Sequence, residues 1–456
     1  MTRIVLIALT LLLAGPVAAK PLTSEQKLAV DAAVSRILKA SEVPSASIAI
    51  VSDAQLDYAQ AYGDQRLDGS AATTTARYPV ASISKQFTAA SILLLAEDGK
   101  LSLDDKVAKY LPALTGAKTI TIRQLLSHTA GIRDFWPQFY TFEAMTKPTT
   151  PLAILKQWAM APLDFSPGSK WQYSNTGYTV AGLIVEQVAK EPLHHFQQRR
   201  LFRPLGMTVV LGATELSPTD ARGSTRDALG PVRAAPGAQP GWMFATADLA
   251  MTPAELAKWN IARLTRAVLK PESWAVQETN AAPPAAGLAY GLGVEMDAAG
   301  AHRRIKHNGG LSAYRASNRV YPDDRAAISV FVNAGFTEAR NEIADAIEAI
   351  LFDTQSDTEA ARLMFEALRS GQIDRARFTA NGNFYFTPAV LADYQSSLAP
   401  LGPIKRIVRD GPTQLRGGLT RERYILSFAD RKLRCVVHAE PDSRRIEEFS
   451  ISAITE

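Results

Sequence analysis

Ser82 and Lys85 stand three residues apart at the front of the stretch 80–100, VASISKQFTAASILLLAEDGK, so on a helix they share one surface. A hydroxyl there can attack an acyl carbon, because the unpaired N–H groups of a helix start lie where an oxyanion would form. An amine one turn on can take the hydroxyl proton once its surroundings depress its pKa. The stretch itself predicts the helix: Phe87, Ile92, Leu95 and Ala96 fall on one apolar face, and Gly99 ends it. Ser24 and Lys27 repeat the spacing in a polar helix start, where a serine reads as part of a capping region. Spacing alone does not separate a nucleophile from a cap.

Other residues carry further chemistry. Tyr173 and Asn175 lie in FSPGSKWQYSNTGYTV, after a Pro167-Gly168 turn and just before a helix over 178–188. Both can point into a cleft, although in isolation Tyr173 reads as a packing aromatic and Asn175 as an N-cap. His128, in LLSHTAGI, reads as a buried, hydrogen-bonded histidine that shapes a turn near a site, because no nucleophile or carboxylate pattern adjoins it. Cys435, in KLRCVVH, reads as a small buried hydrophobe. A single cysteine excludes an intramolecular disulfide and any cysteine-based metal cluster.

The elements that must position these groups follow from pattern. A helix over 22–40 precedes two strand-like runs, 46–51 and 57–62, and then the Ser82 helix. That order predicts an antiparallel sheet with a helical face rather than a parallel βαβ repeat. Residues 150–208 read as mostly helical and 212–240 as loop-rich. Residues 290–296 and 303–322 read as strands around a glycine turn, and 325–334 is the strongest strand pattern. A helix at 340–353 and a polar linker at 353–358 close this unit. Residues 359–456 read as a separate small α+β domain: a helix, a second near 388–398, then strands at 404–409, 422–428, 432–438 and 445–451. It shows no catalytic constellation.

At 456 residues and 46% apolar content, the chain accommodates two or three globular domains. Residues 1–19 have the form of a secretory leader: Arg3, an apolar run at 4–13, and Val17-Ala18-Ala19 as a small-residue cleavage site. The run is too short to span a bilayer stably. Cleavage after Ala19 and a periplasmic or secreted location are therefore expected. The net charge of +5 falls to +4 without Arg3 and is spread along the chain, with no cluster that would suggest nucleic acid.

Three motifs now join: Ser82-Ile83-Ser84-Lys85, Tyr173-Ser174-Asn175 and His307-Asn308-Gly309-Gly310. In their order and separation, residues 22–352 resemble the serine β-lactamase-like family of class C β-lactamases, D,D-peptidases, D-aminopeptidases and family VIII-type esterases. LLSHTAGI (125–132), FRPLGMT (202–208), ATADLA (245–250) and YGLG (290–293) point the same way. The resemblance implies an α+β, D,D-peptidase-like fold over 20–353: an antiparallel sheet flanked by helices, beside a helical lobe. The small domain at 359–456 is only weakly similar, by element order, to NTF2- or cystatin-like domains.

The resemblance also implies roles. Ser82 would be acylated, Lys85 and Tyr173 would share the general-base work, and Asn175 would hold Lys85 and an acyl amide. The N–H groups of Ser82 and Gly310 would form the oxyanion hole, with His307 and Gly309 lining the substrate strand. A phenol acts as base only if a nearby cation lowers its pKa, and Lys85 would be that cation. His307 stands where class C β-lactamases carry lysine, which removes a fixed positive charge from the substrate's carboxylate end. The expectation is an exported serine hydrolase that forms an acyl-enzyme with an ester or amide, ahead of efficient β-lactam hydrolysis. The alternatives are a penicillin-binding or sensor-like protein that acylates with little turnover, or a β-lactamase. Small molecules, peptides or cell-wall fragments are the expected substrates, with no cofactor, no metal, no nucleic acid and no stable membrane span.

Overall fold

A computed structural model describes residues 19–136, 143–212, 215–235, 239–300, 302–311, 313–352, 354–410, 413–441 and 443–454. Apart from Ala19, the leader lies outside the described residues. The chain divides into two compact units, 1–296 with 304–344, and 297–303 with 345–456.

In the first unit, helix α1 (Ser24–Ser41) opens on a capping box between Thr23 and Gln26 and buries Val30, Val34, Ile37 and Leu38. Strands β1 (Ser45–Ser52) and β2 (Gln55–Gly63) follow. Helix α2 (Lys85–Glu97) is buried at every position from Lys85 to Leu95, its polar members bonded internally: Gln86 accepts from Trp259 Nε1, and the Thr88 and Ser91 hydroxyls donate to the Ala245 and Phe87 carbonyls. Phe87 packs on Trp259 and Phe202, with ring centroids 4.6 and 5.4 Å away. Helices α3 (Asn175–Ala189) and α4 (Pro253–Thr265) complete the long helices of this part.

The sheet is finished by β3 (Ala289–Tyr290), β4 (Glu295–Ala299), β5 (His302–Leu311), β6 (Tyr314–Tyr321) and β7 (Ala326–Val332). Its order is β2-β1-β7-β6-β5-β4-β3, and the described ladders are antiparallel. Ala257 of α4 packs with Ala49, Val51, Val294 and Ile305 on one face of it. The segment 290–296, read from sequence as one strand, is instead a tight reversal. Gly293 has φ +79°, and a Cβ on Gly291 would stand 2.2 Å from the Gln277 carbonyl oxygen, so glycines bend the chain there. Tyr290 then pairs with Glu295 across the turn.

Helix α5 (Ala339–Leu351) begins in the first unit and ends in the second. The polar stretch 353–358, expected to be a linker, is instead helical from Thr354 on, because its Thr, Gln, Ser and Asp residues form the polar first turn of the next helix. The second unit continues with α6 (Thr354–Ser370), α7 (Pro388–Leu398) and strands β8 (Arg406–Arg409), β9 (Gln414–Arg416), β10 (Leu419–Ser427), β11 (Lys432–Ala439) and β12 (Ile446–Ala453). The order is β8-β10-β11-β12, with β9 paired to β10. Gly417 and Gly418, at φ +62° and +79°, fold β9 onto β10. The sequence signalled every strand but that short one. One sheet face, with Tyr424, Leu426, Cys435 and Phe449, packs on Phe365 and Leu368 of α6. Cys435 is fully buried, and burial pushes its thiol pKa up. Among the described residues no helix is long and apolar enough to cross a membrane.

Candidate active site

Ser82 lies in a short 3₁₀ turn, Ala81–Ser84, that runs directly into α2. Ala81 has φ +50°, a left-handed conformation that costs a non-glycine residue about 1 kcal/mol and persists only where its surroundings enforce it. The enforcement is visible. The Val80 N–H donates to the Leu249 carbonyl at 3.0 Å, and Gly309 of β5 presses on Val80 from the other side. A Cβ on Gly309 would sit 2.1 Å from the Val80 carbonyl oxygen, so only glycine fits.

Lys85 is fully buried. Its Nζ donates to Asn175 Oδ1 at 2.7 Å, to the Thr246 carbonyl at 3.1 Å and to Ser82 Oγ at 3.3 Å. Burial pulls the amine down to about 7, against the partial opposition of Asp134 and Asp248. Asp134 orients the network. Its Oδ1 accepts from the Asn175 backbone N–H at 2.9 Å and its Oδ2 from Asn175 Nδ2 at 3.1 Å, which leaves Oδ1 of Asn175 aimed at Lys85. Asn175 is thus the first residue of α3, and the cap is Ser174, whose Oγ accepts from the Gly177 N–H at 3.1 Å.

Tyr173 places its ring centroid 4.8 Å from Lys85 Nζ. Its hydroxyl is buried without a hydrogen-bond partner of good geometry, although Ser82 lies near enough to act on its pKa in the lowering direction. Burial dominates and raises the phenol well above its ordinary value. The expectation that Lys85 would lower it meets the opposite balance: desolvation outweighs the nearby cation, which is itself discharged near neutrality.

The strand wall carries a chain of hydrogen bonds through two histidines. The Ser174 N–H donates to His128 Nδ1 at 3.1 Å, so His128 Nε2 carries the proton and donates to the Tyr290 hydroxyl at 3.1 Å. Tyr290 donates in turn to His307 Nε2 at 3.0 Å, and His307 Nδ1–H donates to the Asn308 carbonyl at 2.6 Å. Each link fixes the direction of the next, and both rings are held neutral. Burial, aided by Lys85, lowers His307 to about 3 and His128 well below its ordinary value. His128 is the buried, turn-shaping histidine its sequence suggested, with φ +61°.

Ser82, Tyr173, Asn175, His307, Gly309 and Gly310 line one cavity of about 410 Å³, with Lys85 directly behind Ser82. Trp136, Met243, Ala247 and Leu311 give it an apolar side. At the Gly310 end stand Arg315 and Arg340. Arg315 Nη1 donates to the Leu311 carbonyl at 3.0 Å, and Arg340 Nη1 to the Gly309 carbonyl at 2.6 Å. Burial lowers both guanidinium pKa values, Arg340 to about 10. Their nearest carboxylate is Glu338, 3.0 Å from Arg340 and 60% exposed.

This arrangement fits comparison with known proteins. The model of the family described as Beta-lactamase matches residues 30–352, and the chain belongs to that family. Protein flp of Staphylococcus aureus is 34% identical over 195 residues, 41% of this chain and 38% of that protein, so the chain spans about two-fifths of that relative's length. Among solved structures, a D-stereospecific amidohydrolase from a Streptomyces species superposes with a TM-score of 0.60 at 25% identity, covering 69% of this chain and 97% of the other. An octameric penicillin-binding protein homologue from Pyrococcus abyssi gives a TM-score of 0.63 at 20% identity, covering 95% and 97%. The fold is that of the serine β-lactamase and penicillin-binding proteins, and the family is one of serine hydrolases.

Several residues of the site were not singled out from sequence. Asp134 follows His128 in the same loop, and its signal was a lone carboxylate after AGIR. Tyr290 was visible only as the tyrosine of YGLG. Thr246 acts through its backbone carbonyl, which no side-chain pattern reveals. Arg315 and Arg340 reach the cavity from separate elements, so no linear spacing joins them.

Proposed function

We propose that the protein is an exported serine hydrolase that turns over an ester or amide through an acyl-enzyme on Ser82. The observation that carries this is the Lys85 amine, buried, held by Asn175 and the Thr246 carbonyl, 3.3 Å from Ser82 Oγ and brought down to about 7. Neutral Lys85 takes the hydroxyl proton as Oγ bonds to the acyl carbon. The carbonyl oxygen becomes an oxyanion against the N–H groups of Ser82 and Gly310. The bond to the leaving group then breaks. Lys85 passes its proton to Tyr173, whose own hydroxyl proton goes to the leaving oxygen or nitrogen. Water repeats the sequence to release the acyl group.

Tyr173 in this scheme relays a proton as a neutral phenol and is not the standing base. The apolar side of the cavity suits an acyl group with a hydrocarbon or aromatic portion. Arg315 and Arg340 supply, at the Gly310 end, positive charge that His307 does not. A leaving portion with a carboxylate, as in a peptide, is therefore as reasonable a substrate as a neutral ester, and the similarity to a D-stereospecific amidohydrolase supports D-configured amides as the first to try. The form of residues 1–19 supports export, which the N-terminal sequence of the protein recovered outside the cytoplasm would check.

Intact mass spectrometry tests the proposal. The protein is mixed with a p-nitrophenyl ester and, separately, with a penicillin. A transient acyl adduct on Ser82 with the ester, and none in Ser82→Ala, is expected. A stable adduct with the penicillin and no turnover of any ester or D-amino-acid amide would make this a penicillin-binding protein instead. Full turnover by Ser82→Ala would overturn the assignment altogether.

A further inference from the structure

The open face of the second unit's sheet concentrates cations. Strand alternation turns Tyr424, Leu426, Cys435 and Phe449 onto α6, and Arg421, Arg423, Lys432 and Arg434 the opposite way. Arg416 of β9 joins them, since it pairs with Leu419 of that same face. At the described strand positions of this face the one carboxylate is Glu448, which lies 3.0 Å from His438 Nδ1. Arg434 pairs with Asp410 at 3.3 Å. Among the described residues Arg416, Arg423 and Lys432 have no carboxylate partner, and Arg421 bonds only Gln414, at 2.9 Å. The Nε of Arg421 is buried and unpartnered. Arg416, Arg421, His438 and the carboxylate Glu448, with Leu419, Val436 and Ser450, line a basin of about 480 Å³.

We propose that this face binds a linear inorganic polyphosphate chain, one phosphate seated in the basin and another further along the chain beside Arg423. Charge complementarity carries the choice. A guanidinium offers phosphate two parallel N–H donors, and five cations here outnumber two acids, Glu448 in the basin and Asp410 beside Arg434. Arg421 and Arg423 are two residues apart on one strand, roughly 7 Å, within reach of separate phosphates along one extended chain. Single-stranded nucleic acid is disfavoured because such proteins stack successive bases on several aromatic side chains, and the described strand positions on this face hold no Phe, Tyr or Trp, only His438. A globular partner is disfavoured too, since it would need a well-packed apolar anchor where this face has Leu419, Ile425 and Val436 dispersed among charges.

Fluorescence anisotropy of labelled inorganic polyphosphate with the full chain provides the test, at salt from 50 to 200 mM. Arg421→Ala/Arg423→Ala is compared with Lys118→Ala/Lys156→Ala, which removes the same charge from exposed positions of the first unit. The arginine pair should weaken binding by about tenfold or more and flatten the slope of log K against log salt by about 1.4–1.8, as expected for two lost phosphate contacts. The lysine pair should change neither, and ester hydrolysis should be unaltered in both. No binding at 100 mM salt, or equal loss in the two variants, would overturn the proposal. Tighter binding of poly-L-glutamate or of oligothymidine than of polyphosphate would overturn it in favour of an acidic peptide or a nucleic acid.

Discussion

On the helical wall of the cavity, Lys85 is fully buried, makes three hydrogen bonds and titrates near 7. On the strand wall, His307 is also buried, bonds through both ring nitrogens and titrates near 3. Burial pushes both groups the same way, since it disfavours the cation in each. What differs is the starting point. An amine begins far above neutrality and is brought to it, whereas an imidazole begins near neutrality and is driven out of range. The residue type usually associated with proton transfer at pH 7 is here the inert one. In the mechanism we propose, the wall that does chemistry is the one whose group survives burial with a usable pKa.

The sharpest way to break this contrast is to remove the nucleophile served by the helical wall. Ser82→Ala should cost several orders of magnitude in kcat, whereas Ser24→Ala should leave it unchanged. The steady-state rate on a p-nitrophenyl ester decides. If both variants keep full activity, neither wall is catalytic.

The next largest effect lies in the pH profile. If neutral Lys85 is the base, kcat/KM should rise with pH through an apparent pKa near 7 and then level off. Lys85→Arg keeps the positive charge but cannot lose its proton, so it should abolish the limb and reduce the rate by about a thousandfold. Asp134→Asn removes an anion that raises the Lys85 pKa, so any remaining activity should show its limb moved to lower pH. A limb unmoved in Asp134→Asn would mean that Lys85 is not the group titrating.

Gly309→Ala probes the place where the two walls meet. The new Cβ would lie 2.1 Å from the Val80 carbonyl oxygen, so the turn carrying Ser82 must shift or β5 must part from it. A loss of about 1–3 kcal/mol in stability is expected, with a larger proportional loss in acylation than in folded protein. Thermal unfolding set beside single-turnover acylation separates the two.

The sequence made the helical wall legible because its members are side chains at short spacings, Ser82 with Lys85 and Tyr173 with Asn175. The antiparallel sheet was legible from alternation and from the order of helix and hairpin. Three features escaped for physical reasons. The reversal at Gly291 and Gly293 looked like strand because the residues around it are apolar. Asp134 and Thr246 bond to Asn175 and Lys85 across long loops, and only the folded chain brings them together. The charge at the Gly310 end comes from Arg315 on β6 and Arg340 on α5, so inspection of the His307 motif alone undercounted it.

The smallest effect is expected at Tyr290, and it tests whether the strand wall is as inert as its hydrogen bonds indicate. Tyr290 receives the His128 Nε2–H and donates to His307 Nε2. In Tyr290→Phe both links are lost, and a buried histidine donor is left without an acceptor, at a cost of about 1–3 kcal/mol. That cost should appear as a lower midpoint of unfolding. Turnover should fall less than about tenfold, because His307 keeps its Nδ1–H bond to the Asn308 carbonyl and so keeps its place in the cavity. The position of the pH limb should stay with Lys85. Nitrogen NMR of the histidine rings provides a direct check, with His307 neutral and protonated at Nδ1 throughout the range where Lys85 titrates. If Tyr290→Phe instead cost a thousandfold in kcat with stability unchanged, protons would be moving through Tyr290 to His307 during turnover, and the strand wall would be a catalytic partner of Lys85.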